Sequence, residues 1–460
     1  MRERLKTWVL MALVVAAVAQ FSLLLYSRQD VVRVIPRPLN PSERPNAQLA
    51  QSLPPEVLAI PIRMYTHLPG NQHKLLRSSS RYYTNIWNMC RNIMEAYPTL
   101  AASQFTPLEE SLWNVYAPSV ELLLSQTLPL KTYLTLLGID YVGDDSLYVD
   151  RLYFSSTNEQ VYLSNGEGGL YHTPWKSQPE LLTSILGLVE ASSSPYVQPY
   201  TLPAQLQSVH QLFVLAEPMQ NTNIYNVVPV LRAENYTDLA LKAFADPTSL
   251  RMLPYSGEEE TIIFENFERR LRFDDHRLVL EQWDSGTLAE DMPLWQQAVQ
   301  FLREVEIWPA ENFYFDGLGG SGMRTTVFFQ QAHEGRPLHY LDYNAAGEVR
   351  ISSTLRAEEN NGLLASLRYR PFRITNALSE QSNATSQDQA IATFMNLLPT
   401  LPGGDETLPL LRDIVEGFLC SYQSDTAHTV WIVEFVGGRR YFFDIASGDY
   451  IGYLAEVYVR

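Results

Sequence analysis

Cysteine is nearly absent from this chain: Cys90 and Cys420 are all that 460 residues carry. A secreted domain stapled by a disulfide framework needs more cysteines at closer spacing, so this protein is expected to be held by packing. The two read as separate buried thiols, with a pairing in the fold left open. Positive charge is also short. Lysine and arginine number 34 against 51 acidic residues, a formal net charge of -17. A surface of that sign disfavours nucleic acid and anionic lipid headgroups as close partners.

Recognisable chemistry is scarce as well. Gly317 to Gly322 lacks the Gly-Lys-Ser/Thr ending of a phosphate loop and the Gly-x-Ser-x-Gly of a nucleophile elbow, so it is expected to be a flexible inter-strand turn. His67 with His73, and His333 with His339, sit six apart, a spacing that diverges on a helix and matches no metal motif; all four are expected on the surface or in loops. In Asp274-Asp275-His276, the adjacent Asp275 and His276 would face opposite sides of an ideal strand and cannot converge. No catalytic, cofactor or metal residues are predicted, and the balance favours a protein that is not an enzyme.

Long apolar runs are limited to one, Trp8 to Tyr26, preceded by Arg2, Arg4 and Lys6 with Glu3 opposing. At 1.5 Å per residue its length approaches the roughly 30 Å of a bilayer core. The run is expected to be a single transmembrane helix with a cytoplasmic N-terminus. The remaining 434 residues, 460 minus 26, would then be extracytoplasmic. Ala17-Val18-Ala19 offers the competing reading of a cleaved signal, against which apolar character resumes at Phe21. On the expected helix Ala12, Ala16 and Gln20 recur at i, i+4 and i+8, with Ala19 beside them. Small residues let another helix approach, and an amide can bond across the contact, so these four are the candidate partner-binding face.

The expected layout is 1–7 cytoplasmic, 8–26 transmembrane, 27–55 a proline-rich spacer, 56–194 an N-terminal ectodomain, 195–285 a middle domain and 286–460 a C-terminal domain. Tyr82 to Tyr97 carries a helical stripe through Tyr83, Ile86, Trp87, Cys90 and Met94, ended by Pro98. A second helix is expected from Glu109 to about Val115. Strands follow at 151–154, 160–163 and 169–171, then a helix over 236–244 and strands over 260–264, 270–273 and 277–282. The C-terminal part contains a weak repeat: Gly335-Arg336 to Gly347-Glu348 parallels Gly438-Arg439 to Gly448-Asp449. Each copy follows a strand (326–330, 429–435) and expected helices: 288–305 before the first, 388–398 and 408–418 before the second. The fold class is α+β with antiparallel sheets.

The basic start and single anchor, the Tyr83, Ile86, Trp87 helix, the 151–171 meander and the Tyr441-Phe442-Phe443-Asp444-Ile445-Ala446-Ser447-Gly448 hairpin together resemble the YycH family of two-component-system regulators. The hairpin also resembles PepSY-type modules. The YycH resemblance implies a Gram-positive membrane protein with a helical N-terminal domain followed by two α+β domains like those of YycI. It implies association, with YycI, with the sensor histidine kinase WalK (YycG), hence control of cell-wall metabolism. No catalytic residues carry over. An extracytoplasmic ligand-binding or protease-inhibiting PepSY-like module is the alternative.

Overall fold

The computed structural model describes residues 32–33 and 59–455 except 109–117, 145, 209, 218, 220, 245, 255–260, 275, 284–291, 308–312, 322–323, 344–348, 383, 402–409 and 422–423. The expected anchor, the helix at 109–115 and most of the proline-rich spacer lie outside the described residues.

Strands β1 (Arg63–Leu68) and β2 (Gln72–Leu76) form the first hairpin. Helix α1 (Arg81–Glu95) follows, its first turn closed by Ser80 accepting from the Tyr82 amide. It buries the stripe the sequence shows, including Ile86, Trp87, Cys90 and Met94. Next come β3 (Ser119–Pro129), α2 (Leu130–Leu136), β4 (Tyr148–Ser155), β5 (Gln160–Ser164), β6 (Leu170–Lys176), α3 (Pro179–Glu190), β7 (Tyr196–Tyr200) and β8 (Leu212–Leu215). They make one antiparallel sheet in the order β8-β7-β2-β1-β3-β4-β5-β6, closed by the short strand Thr106–Pro107. This corrects the expectation of a helical first domain. Alternation decides it: Met64, Leu122, Leu152 and Phe154 point to the helices, while Arg63, Tyr65, Glu121 and Arg151 point the other way. The expected boundary at 194/195 falls inside this sheet, since β7 pairs with β2.

The middle of the chain supplies β9 (Asn221–Pro229), α4 (Tyr236–Ala243), β10 (Arg251–Pro254), β11 (Ile262–Glu265), β12 (Arg269–Asp274), β13 (Arg277–Gln282) and α5 (Leu294–Glu304). Strands β14 (Phe313–Ser321), β15 (Arg324–His333), β16 (Arg336–Tyr343), β17 (Val349–Ser352), β18 (Leu355–Asn360), β19 (Leu363–Tyr369) and β20 (Phe372–Ser382) follow. Ladders run antiparallel through β10-β11-β12-β13-β19-β18-β15-β14, with Val32–Arg33 paired on β10. The expected boundary at 285/286 also falls within a sheet, because β13 pairs with β19. The glycines from 317 to 320 lie in β14 rather than in a turn, and its pairing continues to Ser321 opposite Arg324. A side chain at Gly320 would meet the Arg324 carbonyl at 2.1 Å.

Helix α6 (Gln387–Leu397) begins in a capping box of Ser386 and Gln389. It packs on β21 (Leu411–Ser421), β22 (Thr426–Phe435), β23 (Arg439–Asp444) and β24 (Tyr450–Ala455). Both copies of the repeat therefore follow the same element order, one helix then four strands. Gly335 and Gly438 occupy positive φ at equivalent turns. They differ in pairing. In the second copy β21 to β24 form a meander. In the first, β16 leaves β15 after three residue pairs, β18 takes its place, and β16 runs parallel to β21. The helix expected over 408–418 is instead strand β21, buried along nearly its whole length.

Candidate functional site

The face of the first sheet that carries Arg63, Tyr65, Glu121, Ser125 and Arg151 is buried. It is covered by β14, β21, β22 and β23, which present charges of their own. Arg63 on β1 reaches Asp413 at 2.9 Å and Glu434 at 3.4 Å. Arg440 on β23 lies 3.0 Å from Glu434 and clamps Asp316 with two bonds of 2.8 Å, while Ser125 on β3 donates to the same carboxylate. Asp316 sits at a register shift in β14, and Arg412 at another in β21, so a bulge re-aims each side chain. Arg412 donates to the Leu124 carbonyl, and Arg151 to the carbonyl of Arg412. Arg77 at the end of β2 and Arg336 on β16 share Glu416.

Arg63, Glu121, Arg151, Asp316, Asp413, Glu434 and Arg440 are each no more than 6% exposed. Charges so deep are tolerated only when paired. Burial is the largest single influence on Arg63 and would lower its pKa, but Asp413, Tyr65 and Glu434 together outweigh it and the value is raised; Arg412, with burial dominant, is lowered. The arrangement locks the first sheet to the last in one register.

At one end of this seam lies a histidine cluster that the sequence reading missed. His67 and His73 face each other in the β1–β2 hairpin, Nδ1 to Nδ1 at 2.8 Å, and His67 Nε2 lies 3.1 Å from Glu121. When each ring carries one proton, His67 donates from Nε2 to Glu121 and accepts at Nδ1 from His73. The Nε2 of His73 is then a lone pair with no partner among the described residues. Burial, then His67, lowers the His73 pKa to about 4. Glu121 would be raised by burial, but Arg151 at 2.6 Å and His67 hold it at about 2. Nearby, His210 Nε2 is 3.1 Å from both Asp150 and Ser164. Burial and Arg151 lower His210; Asp150, despite burial, is held at about 2 by His210. A cavity of about 250 Å³ opens beside these residues.

Both His67 and His73 are buried, which corrects the surface expectation. The missed signal is Pro69-Gly70-Asn71: Gly70 and Asn71 take positive φ, and that turn brings residues six apart into direct opposition. His333 is half-buried and His339 fully buried against Arg440 and Phe442; burial, then Arg440, lowers the latter to about 3. Asp274 is engaged by Arg272 and Arg277, and His276 bonds the Leu231 carbonyl, which makes that turn structural. No group of three or more His, Cys, Asp or Glu is placed to hold a metal among the described residues. Both cysteines are free and buried. Ala12, Ala16, Ala19 and Gln20 lie outside the described residues, and no described helix is long and apolar enough to cross a membrane.

No family model matches the chain, and no curated protein matches it in sequence. Solved structures do. The crystal structure of YycH from Bacillus subtilis superposes with a TM-score of 0.54 over 87% of this chain and 96% of that one, at 13% identity. Two others overlay too loosely to bear on the fold. They are an uncharacterized protein from Eubacterium rectale (TM-score 0.34, 11% identity, 55% and 93% covered) and the YpeB C-terminal domain of Bacillus megaterium (0.28, 8%, 50% and 99%). The end-to-end match, with the helix, meander and C-terminal hairpin in the expected order, means that this chain has a YycH-like fold.

Proposed function

We propose that this protein is an extracytoplasmic regulator of a WalK (YycG)-type sensor histidine kinase in a two-component system, acting by contact rather than by catalysis. The observation that carries the reading is the likeness to YycH over 87% of the chain. The protein is single-pass, anchored through residues 8–26 with its N-terminus in the cytoplasm, and works beside a YycI-like companion in the membrane of a Gram-positive cell. Regulation of this kind requires that it bind one kinase state more tightly than the other. Ala12, Ala16, Ala19 and Gln20 form the face that meets the partner helix.

The test is the double replacement Ala12→Ile and Ala16→Ile in the full chain, co-expressed with the kinase and a reporter of its response regulator. Bulky side chains should hold the helices apart and change reporter output while insertion and ectodomain melting stay as in the parent. Unchanged output in a properly inserted variant would sink the helix-contact mechanism. Deleting the whole protein without altering the reporter would sink the regulatory reading.

A further inference from the structure

The cavity beside the histidine cluster belongs to none of the contacts proposed for kinase regulation, and its walls are specific in chemistry. One side is aromatic: Phe213 lies 4.9 Å from the His73 ring and 5.5 Å from that of His67, and Tyr153 stacks on His67 at 5.6 Å. The other side is formed by the Glu121–Arg151 pair and His210, and Asn71, Pro199 and Gln211 complete the lining.

The charges in this wall are already spent on one another. Glu121 is neutralised by Arg151, and His210 rests on Asp150. A phosphate or carboxylate would find no unpaired cation here, and an ammonium would compete with Arg151 for Glu121. The pocket is lined by aromatic rings, Phe213 and Tyr153 among them, and by planar hydrogen-bonding groups instead. Gln211 spends its amide nitrogen on the Tyr200 and Leu212 carbonyls, leaving its side-chain oxygen for a ligand. Its volume of about 250 Å³ falls below the roughly 300–1,000 Å³ of sites for drug-sized ligands, so it admits one ring. A pyranose has the matching surface: an apolar C–H face to lie on an aromatic side chain and hydroxyls around its rim that both donate and accept.

We propose that this cavity is a binding site for a single uncharged sugar residue. Glucose and N-acetylglucosamine are the probes, added to the purified full chain in detergent with no kinase present, so that the result is independent of the regulatory reading. Both binding to the parent, or either one alone, is expected as a saturable rise in melting temperature. Gln211→Ala, at the half-buried rim, should melt like the parent and lose at least tenfold in affinity; Phe213→Ala should lose the shift entirely. Four results overturn the proposal: no shift with either sugar; equal shifts in parent and Gln211→Ala; a shift that persists in a folded Phe213→Ala; or a larger shift with inorganic phosphate than with sugar.

Discussion

Acidification should destabilise this protein well before its carboxylates titrate, since His73, His210 and His339 are all held neutral by burial, and His73 is the one whose share can be isolated by substitution. In the folded chain its pKa is lowered from 6.5 to about 4. Between those values the unfolded chain takes up a proton that the native state refuses, so stability falls as pH drops below 6.5 and the loss is complete below about 4. The drop from 6.5 to about 4 corresponds to at most about 3 kcal/mol, reduced by water in the adjoining cavity that screens the ring. Glu121 and Asp150, both held at about 2, add a second decline only below about pH 4.5, because their native forms keep a charge that the unfolded forms lose. The assay is urea unfolding followed by tryptophan fluorescence, from about pH 7 down to about pH 4, on the parent and on His73→Gln. The glutamine amide still donates to His67 but cannot be protonated, so the variant's stability should decline less over this interval, by up to about 3 kcal/mol. Equal declines in the two proteins, both unfolding cooperatively, would refute the reasoning.

Other consequences follow from the seam and the core. Arg440→Met removes both bonds to Asp316 and the bond to Glu434; Glu434 keeps Arg63, but the buried Asp316 carboxylate loses its arginine, and the denaturant midpoint should fall by the equivalent of about 3–5 kcal/mol. Adding Asp316→Leu to that variant should recover part of the loss, since both ends of the pair are then apolar. Cys90 and Cys420, buried and with pKa values pushed up by burial, should be silent to a thiol reagent in the folded protein, and both should react in denaturant. Reaction of either thiol at the native rate of an exposed cysteine would contradict the packing described.

What could be read from the chain beforehand was local. The α1 stripe from Tyr83 to Met94 and the strands near 151–163 follow from side-chain period, because each has one face on the core. Strand β21 defeated the same logic. Leu411, Ile414, Val415 and Phe418 have helical spacing, and Arg412, Asp413 and Glu416 look like the solvated face of such a helix. In the fold those charges are buried: Asp413 and Glu416 meet arginines of the first sheet, and Arg412 meets its Leu124 carbonyl. A strand covered on both sides shows no alternation, and partners over 280 residues away leave no mark on local spacing. The histidine cluster was hidden for a related reason, since its third member, Glu121, comes from β3 rather than from the hairpin.

Strand β16 has a consequence for how this protein can come apart. It starts in the first repeat unit and ends as a parallel partner of the second, with Leu338 opposite Phe418, 80 residues later (418 minus 338). Gly417 makes room for the crossing, because a side chain there would press to 3.0 Å on the Pro337 carbonyl. Neither unit has its full complement of strands until the other is synthesised. The two should therefore melt as one cooperative block, resist separation by limited proteolysis at any point between them, and fold slowly for their size, as long-range loop closure must precede the ladder that rewards it.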